Sequence, residues 1–110
     1  MEWMACLQKT IRYMEQHLLE DIHPEDIAEA VHVSPFYLQK GFSILTGYSL
    51  MEYVRNRRLY LAALEAVDSE TKIIDLAFKY GYQTPESFTK AFYRFHGITP
   101  NRIRAHAEHI

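Results

Sequence analysis

The chain has 110 residues, 48% of them apolar and 24% charged, with a formal net charge of −2. That is one domain's worth of sequence with enough apolar content to bury a core, which excludes a disordered tail and leaves no room for a second sensor or catalytic domain. No apolar run approaches the roughly 20 residues of a bilayer span, the N-terminus lacks a signal-peptide pattern, and the lone Cys6 has no partner for an internal disulfide, so a cytoplasmic, non-membrane domain is expected.

Strict two-residue alternation is nearly absent, while apolar spacings of three and four recur, so the expected class is all-α with about seven helices. Met4, Leu7, Ile11, Met14 and Leu18 mark the stripe of a first helix. Pro24 suits the first turn of a short second helix carrying Ile27, Ala28 and Val31. Ser34-Pro35 is an N-cap and N1 pair opening a third helix, because the serine oxygen accepts an orphan N–H and proline has none to lose. Gly47 ends that helix, and Ser49 caps a long fourth over about residues 50–67. A fifth carries Ile73, Ile74, Leu76, Ala77 and Tyr80 up to Gly81. Thr84-Pro85 opens a sixth ending at Gly97, and Thr99-Pro100 opens a seventh. On this reading the glycines serve as helix stops rather than as a phosphate loop.

The punctuation repeats. Ser34-Pro35 and Thr84-Pro85 lie fifty residues apart, and at the same offset Lys40 meets Lys90, Phe42 meets Phe92, and Gly47 meets Gly97. Upstream, Asp26-Ile27-Ala28 matches Asp75-Leu76-Ala77 at an offset of forty-nine, so the second copy has one extra residue in its bend. Each copy is a short helix, a tight turn and a second helix, the helix-turn-helix unit. Charge alternates along the chain: residues 1–34 sum to −5, 35–64 to +3, 65–80 to −2 and 81–110 to +2. A basic face inside an acidic total is one reading of this, and ordinary surface scatter is the other.

The second helix of each unit has two faces. At about 100° per residue, Leu38, Phe42 and Leu45 fall together, with Phe36, Gln39, Lys40 and Ser43 opposite. In the second copy Phe88, Phe92 and Phe95 form the inner face and Glu86, Thr89, Lys90 and Tyr93 the outer one. Amide, hydroxyl, ammonium and aromatic groups suit base edges and phosphates in a major groove, whereas a single such face is ordinarily just solvated.

The match of Ile74-Asp75-Leu76-Ala77, Gly81-Tyr82, Phe88, Phe92, Arg94 and Gly97-Ile98-Thr99-Pro100 resembles the DNA-binding domain of the AraC/XylS family of bacterial transcription regulators. Ser34, Tyr37-Leu38, Phe42, Gly47, Ser49, Tyr53 and Arg57-Arg58-Leu59 extend it through the first unit. The resemblance implies one AraC-type domain over 1–110, with a first unit at about 5–48, a linking helix at about 50–67 and a second unit at about 70–107. It implies sequence-specific binding of promoter or operator DNA, with one recognition helix per unit in successive major-groove segments. The base-facing candidates carried over are Phe36, Gln39, Lys40, Glu86, Ser87, Thr89 and Lys90. Ser34, Tyr37, Ser43, Thr84, Tyr93 and Arg94 complete the DNA-binding set. Two departures stand out: lysine replaces the family's common arginine at 40 and 90, losing a planar bidentate contact, and Glu86 puts an anion at a helix tip, suited to cytosine N4 rather than phosphate.

Met1-Glu2-Trp3 resembles members whose DNA-binding domain comes first; some continue into a C-terminal effector-binding domain and others consist of the two-unit domain alone. The acidic first two helices are a solvated face or a contact surface for RNA polymerase. Only His106 and His109 share a helix-compatible spacing, with no cysteine or carboxylate cluster beside them, so no metal site, cofactor or catalytic set is expected. His17, His23, His32 and His96 fall near helix ends. The competing function is a helical protein-interaction module that uses the exposed Phe36 face.

Overall fold

The serine and threonine at positions 34 and 84 start helices because their oxygens reach back-facing amides. In the computed structural model, which describes residues 2–108, Ser34 Oγ accepts from Tyr37 N at 3.3 Å and Thr84 Oγ1 accepts from Ser87 N at 3.1 Å. The seven helices among the described residues are α1 (Trp3–Gln16), α2 (Pro24–Ala30), α3 (Pro35–Thr46), α4 (Leu50–Asp68), α5 (Ile73–Lys79), α6 (Pro85–His96) and α7 (Pro100–Glu108). No strand occurs among those residues. Glu2 caps α1 through Met4 N and Ala5 N, and α4 opens on a reciprocal Ser49–Glu52 box. Gly47 and Gly97 close α3 and α6 at φ of 81° and 76°, a conformation that costs other L-residues free energy. Met1, His109 and Ile110 lie outside the described residues, and with them one half of the His106/His109 pair.

The chain divides into two compact units, Met1–Arg55 and Asn56–Ile110, so α4 contributes its first turns to one and its remainder to the other. In the first unit Met14, Ile27, Leu38 and Phe42 are buried, and Thr10 satisfies its buried hydroxyl on Cys6 O at 2.8 Å. Phe42 meets Tyr53 edge-on, and the Tyr53 hydroxyl donates to Glu15 at 3.0 Å. In the second unit Leu59, Ala62 and Ala66 of α4 share a core with Leu76 of α5 and with Phe88 and Phe92 of α6.

The bends differ by one residue, as the offsets require: four residues separate α2 from α3 and five separate α5 from α6. Both bends begin alike. Val33 N donates to Ala28 O at 3.0 Å and Tyr82 N to Ala77 O at 2.9 Å, each across a left-handed residue, His32 or Gly81.

Several expectations are corrected. Leu45 and Phe95 are not on the inner faces but 48% and 45% exposed. Leu38 and Phe42, like Phe88 and Phe92, are buried, and the row continues at the next step of four to half-buried Thr46 and His96; helical period allows a step of three equally well, so the packing of neighbouring elements sets this choice. Polar groups end both rows: Thr46 Oγ1 donates to Phe42 O at 2.7 Å, and His96 Nε2 donates to Leu59 O at 2.8 Å. The first helix buries Cys6, Thr10 and Met14 while Met4 is exposed, and Ile74 is exposed in α5. Gly41 is no helix stop; it lies in the middle of α3.

Candidate nucleic-acid interface

α3 and α6 are each the second helix of a helix-turn-helix unit, fixed by an N-cap hydroxyl, by Pro at N1 and by a buried apolar pair, Leu38 and Phe42 in α3 and Phe88 and Phe92 in α6. Burial of 38 and 42, and of 88 and 92, dictates what faces away. Phe36 (75% exposed), Gln39, Lys40 and Ser43 all stand exposed on α3. On α6 Glu86, Lys90, Tyr93 and Arg94 are exposed, and Thr89 is half-buried. The structure therefore brings the outward residues together within each unit. Ser34 and Thr84 are exposed but their hydroxyls are engaged as caps, and Ser87 Oγ donates to Thr84 O at 2.9 Å. These three position their helices as much as they offer groups to a ligand.

The two outward faces differ in chemistry. At equivalent positions Phe36, Tyr37 and Ile44 of α3 stand where α6 has Glu86, Ser87 and Arg94. Trp3 accounts for part of the difference, and the sequence reading did not assign it a role. Its indole covers Gly41, where a Cβ would overlap the ring, and it lies 5.2 Å from the Tyr37 ring, centroid to centroid. The one available signal was Gly41 itself, since a mid-helix glycine costs about 0.5–1 kcal/mol relative to alanine and calls for a packing reason.

Away from these faces, charge is used for structure. The Lys79 ammonium, 2.8 Å from Glu65 Oε1, holds the Glu65 carboxyl below its ordinary value, and the Tyr80 hydroxyl donates to the same oxygen at 2.8 Å. Burial first, and the carboxylate second, push the Tyr80 phenol up. Amide donation from Ser49 lowers Glu52 in the cap of α4. Among the described residues no three His, Cys, Asp or Glu side chains converge to hold a metal, and no helix is long and apolar enough to cross a membrane.

A family model described as a helix-turn-helix domain matches residues 27–106. The regulatory protein SoxS of Salmonella typhimurium is 33% identical over 104 residues, which are 94% of this chain and 97% of SoxS. The chain belongs to the AraC/XylS family of transcription regulators. A second relative, the HTH-type transcriptional regulator YbfP of Bacillus subtilis, is 35% identical over 104 residues, but the chain spans only 35% of its length. The fold agrees with a solved AraC-type transcriptional regulator from Chromobacterium violaceum, at a TM-score of 0.90 and 24% identity over 94% of this chain and 93% of that one.

Proposed function

We propose that this chain regulates transcription in the cytoplasm by binding promoter or operator DNA sequence-specifically, with α3 and α6 each entering a major-groove segment. The observation that carries this is the repeated outward set: an ammonium at the same place on each helix, Lys40 and Lys90, flanked by groups able to read base edges. Gln39 suits adenine, Glu86 suits cytosine N4, and Phe36 offers apolar contact to a thymine methyl. Thr89, Tyr93, Ser43 and Arg94 extend these surfaces, Arg94 toward phosphate. Because the two faces differ, the site read is asymmetric. RNA polymerase is a second partner, through the acidic α1–α2 surface, and a C-terminal effector-binding domain is a further partner where the protein has one.

Selection of bound sites from a random duplex library tests this reading, followed by salt titration of the selected duplex. Each phosphate neutralised contributes about −0.9 to the slope of log affinity against log salt. An enriched, non-palindromic sequence with a steep negative slope is the expected result. Absence of binding to any duplex pool at low salt would sink the reading and favour the alternative module, in which the exposed Phe36 face docks a protein.

A further inference from the structure

Along α3 the surface is hollowed. A cavity of about 370 Å³ lies between Trp3 and the outward flank of the helix, walled by Phe36, Tyr37, Ile44 and Leu45 and floored by Gly41. That volume is within the range of roughly 300–1,000 Å³ typical of small-molecule sites. Among the described residues Lys40 is the one charged group lining it. Neither the helix-turn-helix fold nor groove reading requires such a wall. The equivalent helix α6 has Glu86, Ser87 and Arg94 where α3 has Phe36, Tyr37 and Ile44, and Ala91 where α3 has the glycine that admits the indole. Ile44, 73% exposed, lines the hollow together with exposed Phe36, Tyr37 and Leu45, so the apolar surface here is contiguous rather than scattered.

We infer that this hollow binds a small planar aromatic carboxylate, stacked against Trp3 and paired through its carboxylate with Lys40. Three aromatic walls select a flat ring system, and the Lys40 ammonium beside them selects an anion over a cation or a neutral sugar. Phe36 and Lys40 also belong to the base-reading set, so ligand and duplex exclude one another. The site itself stands independently of the DNA-binding reading; the exclusion rests on it.

Trp3 is the sole tryptophan of the chain, so its fluorescence reports the site directly. Titration with 1-naphthoate is expected to give a saturable quench. The neutral isostere 1-naphthalenemethanol should bind about three- to fivefold more weakly, the contribution of one exposed ion pair. Lys40→Met should weaken 1-naphthoate by the same factor and leave the alcohol unchanged, and Ile44→Glu should abolish the quench; both positions are exposed, and an unaltered circular dichroism melt verifies folding. A linear, non-saturating quench overturns the site, as does equal affinity for acid and alcohol. A Trp3 signal that changes with protein concentration alone, together with self-association in sedimentation, assigns the hollow to a second copy and also overturns it. In a labelled-duplex anisotropy assay, ligand at ten times its own dissociation constant should raise the apparent duplex Kd about tenfold. An unchanged duplex Kd overturns the exclusion, whereas failure to bind any duplex without ligand counts against the DNA-binding reading and not against the fluorescence result.

Discussion

His32 and Gly81 hold the same left-handed position at the ends of equivalent helices, with φ of 60° and 93°. A non-glycine residue there carries a penalty of about 1–2 kcal/mol, and histidine is among the few types that tolerate it. At Gly81 a Cβ would also sit 3.1 Å from Arg58 Nη1. Gly81→Ala should therefore lower unfolding free energy by about 1–2 kcal/mol. His32→Gly relieves strain but frees the unfolded chain by about 0.4–1 kcal/mol, so its net change is small or favourable. Urea midpoints of the two variants check this; equal losses at both would contradict the equivalence of the bends.

Phe42 and Phe92 are both essentially buried, at matching places in the two units. Alanine at either should cost on the order of 3–5 kcal/mol through lost burial and a residual cavity. Denaturation of each single variant measures it, and unchanged stability in both would mean that the buried row is wrongly assigned.

Lys40 and Lys90 should separate reading from anchoring. Where a lysine reads a base, Lys→Ala costs roughly 1–3 kcal/mol of binding and relaxes preference at one base pair. Where it touches phosphate only, the loss is uniform across sequences and the salt slope shrinks by about one. Competition binding on the selected duplex and its point variants distinguishes the two. Wild-type affinity in both alanine variants would remove the lysines from the interface.

Glu65 gives the second unit an acid-sensitive contact. Its carboxyl is held below the ordinary value in the folded chain, by Lys79 first, so the native state binds fewer protons than the unfolded state in the acid range. The stability it contributes is present above the ordinary carboxylate range and is lost as pH falls through the folded value. Glu65→Gln should therefore be less stable than wild type at pH 7, with the difference shrinking below about pH 4. Thermal melts across that range test the sign; a constant difference would show that the charge is not involved.

The helices and the repeat were legible because they rest on local chemistry. Ser34, Thr84 and Ser49 have oxygens within reach of their own helices' amides, Pro35 and Pro85 cannot continue a preceding helix, and Gly47 and Gly97 accept a left-handed backbone. Those features fix boundaries within a few residues, whatever the rest of the chain does. The outward positions of Gln39, Lys40 and Lys90 followed from the same periodicity once Phe42 and Phe92 were placed inside. Periodicity could not choose between Leu45 and Thr46, or between Phe95 and His96, as the last inner residue. Both lie within a turn of the stripe, and only the packing of neighbouring elements decided for the row at steps of four, at the cost of exposing two large apolar side chains. Trp3 was beyond reach for a different reason. Its contact with Gly41 joins residues 38 positions apart, and no local rule links an N-terminal indole to a glycine in the middle of a later helix. Local hydrogen bonding and helical period were determined by the sequence itself; which apolar groups found a partner, and which were left to wall a hollow on α3, was decided only by tertiary contact.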